Sequence, residues 1–153
     1  MKRFAGLVVA LALSGAQAAA LPLCCRGDSV AHSGLTKEQA KQVLIVVLKH
    51  EKFHLSVPGM YIDDDLYGPN GKPNRPGYFD FSLSYDTPKA GATAYLGYYA
   101  VNIKTGDVWE VESCMRYSFP ALRILQQQIS FRTGVSLLNE EAARDEVGCP
   151  PKA

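Results

Sequence analysis

Residues 94–112 read AYLGYYAVNIKTGDVWEVE, and this stretch predicts two strands joined by a turn. Its first half, Ala94 to Ile103, is apolar or aromatic on both faces, so it predicts a central strand. Lys104-Thr105-Gly106-Asp107 predicts a tight turn in which Gly106 supplies a positive φ. A further strand from Asp107 to about Cys114 would place Trp109 and Val111 on its inner face.

Regular elements are also predicted on both sides of this hairpin. Tyr78 to Tyr85 alternates apolar and polar residues, as a half-buried strand does. Thr36-Lys37-Glu38-Gln39 is a capping box for a helix that continues to about Phe53 or His54. This helix buries a stripe of five apolar residues, which are Ala40, Val43, Leu44, Val47 and Leu48.

Two further helices are predicted after the strands. Pro120 begins the first, and Gly134 ends it. Leu122, Leu125 and Ile129 would form its inner side, with Phe131 as a further candidate. Asn139 would cap a short last helix through Glu146. The order of elements predicts an α+β fold, in which the N-terminal helix packs on a curled antiparallel sheet of three or more strands.

The first twenty residues predict a secretory signal peptide. Lys2 and Arg3 precede an apolar run, and small residues at cleavage spacing follow it in 14–20. Cleavage would leave residues 21–153 as a single domain in an oxidising compartment, most simply the periplasm. That mature chain has 14 basic and 15 acidic residues, without a basic face. We therefore expect no nucleic-acid partner and no membrane span.

All four cysteines lie in the mature part of the chain. An even number of cysteines in an exported chain predicts disulfides, and four allow three connectivities. We favour Cys114–Cys149, which would join the C-terminal segment to the end of a strand. Cys24 and Cys25 are then a vicinal pair, an intermolecular link, or a sign of another pairing.

One motif points to metal chemistry. His50-Glu51-Lys52-Phe53-His54 matches H-E-x-x-H, in which two histidines one helical turn apart bind zinc. Here it falls at a predicted helix C-terminus, four residues before Pro58-Gly59. We interpret the two histidines as a solvated pair at a helix end, and we predict no metal, no cofactor and no catalytic residue. A small zinc metallohydrolase is the alternative.

The segment from Val57 to Gly77 is the least regular part of the chain, and it contains four prolines and four glycines. A connection of this length inside a compact domain tends to be functional. Tyrosines are enriched in protein interfaces, and acidic groups can pair with a cationic partner. The predicted partner-binding residues are Tyr61, Asp63, Asp64, Asp65, Tyr67, Asn70, Lys72 and Arg75. One sheet face would cover the helix, while the other would keep several tyrosines in reach of solvent.

The stretch from Leu96 to Glu110 resembles the aromatic-x-Val-Asn-x-x-Thr-Gly-Asp-Val-Trp hairpin of small cystatin-like and PepSY-like exported domains. Together with residues 35–53 and 77–81, the resemblance covers about half of the mature chain. Similar proteins include periplasmic immunity proteins that neutralise antibacterial effectors, as in type VI secretion. The resemblance implies binding without catalysis, by loops and a sheet edge inserted into the cleft of a secreted toxin. A non-inhibitory envelope module that binds a protein or peptide is the alternative.

Overall fold

The computed structural model describes residues 29–64, 74–87 and 91–152. The predicted signal peptide, Cys24 and Cys25 lie outside these residues. Eight elements follow one another in the chain: α1 (Lys37–His50), β1 (Met60–Asp63), β2 (Tyr78–Thr87), β3 (Ala92–Asn102), β4 (Val108–Glu110), β5 (Met115–Arg116), α2 (Pro120–Thr133) and α3 (Glu140–Val147).

The five strands form one antiparallel sheet in the order β1-β2-β3-β4-β5. The α+β prediction is confirmed, and the sheet is larger than its predicted minimum of three strands. β1 lies inside the segment that was predicted to be irregular, where its four residues were too short a signal between flanking glycines and prolines. The strand that was predicted to reach Cys114 ends at Glu110, because the Glu110 carboxylate accepts hydrogen bonds from the N–H groups of Glu112 and Ser113 and holds a turn there.

The capping box of α1 is present, since Thr36 and Gln39 exchange hydrogen bonds as predicted. All five residues of the predicted stripe are buried. The helix ends earlier than predicted, at His50. Lys52 adopts a left-handed φ of 64°, and the N–H of Phe53 reaches back to the Leu48 carbonyl at 2.9 Å. This Schellman arrangement ends α1 before the second histidine of the H-E-x-x-H motif.

The main core lies between α1, α2 and one face of the sheet, which we call the inner face. Phe81, Leu83 and Val101 contribute to it from the strands. Leu122, Leu125 and Ile129 of α2 are buried as predicted. Phe131 is instead 85% exposed, because it lies on the opposite side of α2.

The β3–β4 turn fits closely under α2. Gly106 has the predicted positive φ, at 66°, and a Cβ there would lie 2.5 Å from Cδ1 of Ile129. A glycine is therefore required at this position for two reasons, its backbone conformation and the close approach of α2.

The other face of the sheet, the outer face, is covered at one end by α3. Trp109 was predicted to face the inner side, but Val108 pairs with Val101 and points there instead. Trp109 lies opposite Ala100, and both are fully buried in a second cluster with Ala143 and Val147 of α3.

Polar groups and a disulfide hold α3 in this position. The guanidinium carbons of Arg116 and Arg144 lie 5.8 and 6.0 Å from the Trp109 ring centre, within cation–π range. Arg144 also donates to the Cys114 carbonyl at 3.0 Å. The predicted Cys114–Cys149 disulfide is formed, with Cα atoms 5.7 Å apart, and it joins the β4–β5 turn to the second residue after α3.

Candidate functional site

The other end of the outer face is not covered by α3, and two rows of side chains cross it there. Tyr61 of β1, Ser84 of β2 and Tyr95 of β3 lie opposite one another. In the next row, Asp63 and Tyr98 lie on either side of Ser82. Paired residues of neighbouring strands point to the same face, so all of these side chains share the outer face.

A β-bulge brings Tyr95 into this surface. Leu83 pairs with Gly97 while Ser84 pairs with Tyr95, so Leu96 is an extra residue in β3. Strict alternation along β3 would have placed Tyr95 on the same face as Tyr99. The extra residue reverses the alternation, so that Tyr95 joins Tyr98 while Tyr99 remains in the main core.

The tyrosines differ in exposure. Tyr61 and Tyr95 are 41% and 50% exposed, and Tyr98 is half-buried. Partial burial raises the pKa of Tyr95 to about 12, and the charge of Glu112 acts in the same direction. The expectation that several tyrosines on one sheet face reach solvent agrees with these exposures. Exposed aromatic rings of this kind supply large contact area at a low entropic cost.

Arg75, one of the predicted partner-binding residues, lies where the covered and open ends of the outer face meet. Its guanidinium donates to the buried Asp80 carboxylate at 3.0 Å and to the Val147 carbonyl at 2.8 Å. It also lies 5.2 Å from the ring centre of Tyr98, whose hydroxyl accepts a hydrogen bond from Asn74 at 3.0 Å. Burial raises the pKa of Asp80, although Arg75 opposes this shift. Arg75 therefore orients Tyr98 and joins the sheet to α3.

The acidic segment after β1 is held against α1. Asp64 accepts from Lys41 at 2.9 Å and pairs with Lys37 at 3.5 Å. The hydrogen bond from Lys41 lowers the pKa of Asp64. Asp63 is half-buried and lies beside Ser82 on the outer face. The remaining predicted partner-binding residues, Asp65, Tyr67, Asn70 and Lys72, lie outside the described residues.

The two histidines of the H-E-x-x-H motif do not share one helix. His50 is the last residue of α1, and its ring stacks on Phe119 with the centres 3.7 Å apart. His54 follows the left-handed Lys52, so it lacks the helical spacing that the zinc motif requires. Within residues 29–64, 74–87 and 91–152, no group of three His, Cys, Asp or Glu side chains could hold a metal ion.

None of the helices that the structure describes has the length and apolar composition of a membrane-spanning helix.

Comparison with known proteins identifies the family. Residues 34–141 match the family model of the T6SS immunity protein Tgi2PP. The matched residues include α1, the whole sheet and α2. The chain belongs to this family of type VI secretion immunity proteins.

A solved structure agrees with this assignment. It is the structure of a type VI secretion system effector–immunity complex from Pseudomonas protegens, and the chain is 50% identical to a chain of that complex. The match has a TM-score of 0.77 and covers 82% of this chain and 98% of the other. None of the curated proteins matches this chain.

Proposed function

We propose that this immunity protein binds a secreted type VI effector in the periplasm and blocks its active site without catalysing a reaction. Its family consists of immunity proteins, and a relative of 50% identity occurs in an effector–immunity complex. The predicted signal peptide supports a periplasmic location, where the protein would meet an effector delivered by a neighbouring cell.

The observation that supports the mode of binding is the exposed Tyr61 next to an acidic segment. Tyr61 and Asp63 present their side chains on the open end of the outer face. Residues 65–73 then continue the chain to Asn74 and Arg75, which contact Tyr98 on the same face. Prolines in this connection restrict its backbone, so that less entropy is lost when it docks. We call residues 63–75 the binding segment. We propose that the binding segment and Tyr61 enter the effector's cleft, and that the carboxylates of the segment pair with cationic groups there.

The proposal is tested by competition between kin cells. A strain of the source bacterium that lacks this gene should be killed by its parent but not by a parent whose type VI secretion is inactive. The full chain should restore survival, whereas a chain without residues 1–20 should not, because it would remain in the cytoplasm. Killing that is independent of this gene would disprove the immunity function, and full rescue without residues 1–20 would disprove the periplasmic location.

The binding segment is tested by expressing its variants at graded protein levels in the same competition assay. We expect Tyr67→Ala, or Asp63, Asp64 and Asp65 changed together to Ala, to weaken effector binding at least about tenfold, which corresponds to about 1.4 kcal/mol. Glu141→Ala with Asp145→Ala on α3 is the matched control, since it also removes exposed carboxylates. If the segment variants protect at wild-type protein levels, this segment is not the interface.

A further inference from the structure

The β2–β3 hairpin extends beyond the strands on either side of it. Pairing with β1 ends at Tyr85, and β4 pairs only with residues 99–101 of β3. Beyond Tyr85, β2 and β3 pair through Asp86–Thr93 and Thr87–Ala92, and the β2 edge keeps one further hydrogen bond, from the Asp86 N–H to the Gly59 carbonyl at 2.9 Å. We call residues 86–87 and 92–96 the free ribbon, because no strand pairs with the β3 edge of this part of the hairpin in the described residues.

The β3 side of the free ribbon is exposed throughout. All five residues from Ala92 to Leu96 are exposed, although they belong to a regular strand. In the part of the chain that the structure describes, no strand pairs with their outer edge. An unpaired edge of this kind presents backbone groups and side chains to a partner.

The composition of this edge favours binding. Proteins usually protect an exposed strand edge with lysine, proline or an inward charge. Ala92-Thr93-Ala94-Tyr95-Leu96 contains no charged residue and no proline. Within residues 92–96 the one protective feature is the β-bulge at Leu96, which turns Tyr95 outward and leaves Leu96 40% exposed.

The free ribbon is continuous with the proposed binding segment and carries an acidic rim. Tyr95 lies in the same row as Tyr61, across Ser84. Asp86 is exposed on the ribbon itself, and Glu112 is exposed and close enough to act on Tyr95. An apolar strip with carboxylates at its border is complementary to an apolar recess bordered by lysine or arginine.

We propose that the free ribbon is a second contact element for the effector, which inserts Tyr95 and Leu96 into an apolar recess bordered by cationic residues. This inference rests on the proposed immunity function and extends its interface from β1 across the sheet to β3. The immunity protein then holds the effector through two elements on one face, the segment after β1 and the free ribbon.

The first test measures how much protein is needed for protection. In the kin competition, Tyr95→Ala with Leu96→Ser should raise the periplasmic amount needed for half-maximal survival at least about tenfold. Glu112→Lys, an exposed change outside the strands, should raise it about threefold or more. The matched control is Ile124→Ala with Phe131→Ser, which removes side chains that are 48% and 85% exposed on α2 and should leave the requirement unchanged.

Thermal unfolding of the purified variants shows whether a loss of protection reflects a loss of folding. If the ribbon variant melts like the wild type and protects at wild-type amounts, the ribbon inference is wrong, while the immunity function stands if the deletion strain is still killed. If the ribbon variant has a lower melting temperature than the wild type, the result for Glu112→Lys is used instead. Protection by Glu112→Lys at wild-type amounts would then overturn the inference.

The second test locates the contact directly. A benzoylphenylalanine at position 95 should crosslink to a type VI effector in cells under attack, and one at position 131 should not. Crosslinking of position 95 to a second copy of this chain would make the ribbon a self-association edge and overturn the inference. Crosslinking from position 61 but not from position 95 would confine the interface to β1.

Discussion

At the end of the outer face that α3 covers, Trp109 is fully buried, whereas at the open end Tyr61 of β1 and Tyr95 of β3 are 41% and 50% exposed. Both ends belong to one sheet and carry aromatic side chains. The covered end has a helix, a disulfide and two arginines over its aromatic ring. The open end has tyrosines and carboxylates.

Under the proposed function, this difference between the two ends separates stability from binding. Burial of a large aromatic ring contributes to the free energy of folding, and the disulfide limits the freedom of the unfolded chain. Exposed tyrosines contribute little to folding but can bury their area against a partner. The contacts of the covered end therefore contribute mainly to the stability of the domain. Substitutions at the two ends should accordingly differ in kind.

The largest effect is expected from removing the disulfide. Changing Cys114 and Cys149 together to Ser should cost about 4 kcal/mol of unfolding free energy on the loop-entropy model, because the bond closes a loop with a sequence separation of 35. Urea unfolding measures this loss, and a red shift of Trp109 fluorescence would show that α3 has detached. Cys24→Ser with Cys25→Ser is the control, and an equal loss there would show that the cysteines act through another pairing.

A smaller effect is expected where the two ends meet. Arg75→Ala should cost about 3 kcal/mol at pH 7, because the Asp80 side chain is only 1% exposed and would lose its cation. Burial already raises the pKa of Asp80, so this carboxyl favours folding below its ordinary pKa of 3.8, and that contribution is lost as the pH rises through the raised value. Without Arg75 the pKa rises further, so the cost should be large at pH 7 and small near pH 3.

Unfolding of the Arg75→Ala, Asp80→Asn double variant provides the control. An asparagine carries no charge to leave unpaired, so the double variant should regain much of the lost stability at pH 7. A cost of Arg75→Ala that does not change between pH 7 and pH 3 would show that its other contacts, to Val147 and Tyr98, account for it.

How far the sequence predicted this division depends on the range of the interactions. The capping box, the Gly106 turn and the Gly134 helix end are local, and each was predicted at its residue. The face of Tyr95 depends on a bulge, which is defined only by pairing with β2. The face of Trp109 depends in the same way on pairing with β3.

The candidate site was predicted in part for the same reason. Tyr61 was named from its residue type and is exposed on the outer face. Arg75 was named from its loop position, yet it makes an ion pair and two further contacts inside the domain. The free ribbon was missed because the exposure of residues 92–96 depends on where β1 and β4 stop, and no local pattern marks those ends.

The smallest effect on stability is expected at Asp64, which forms ion pairs between the end of β1 and α1. The Asp64 side chain is 29% exposed, and its carboxylate accepts a hydrogen bond from Lys41 at 2.9 Å. Asp64→Asn should therefore lower the free energy of unfolding by only about 0.2–1 kcal/mol at pH 7. Because Lys41 lowers the pKa of Asp64 below its ordinary 3.8, the carboxylate contributes stability above that value and loses it as the pH falls through the lowered pKa. The difference in unfolding free energy between wild type and variant, measured with urea, should therefore be constant from pH 7 to pH 5 and disappear in the acid range below 3.8. Addition of 1 M salt should reduce this difference at pH 7. Asp145→Asn on the exposed side of α3 is the control. A difference that persists at low pH would show that the side chain of Asp64 stabilises the segment by its shape rather than its charge, and would leave that charge available to the effector.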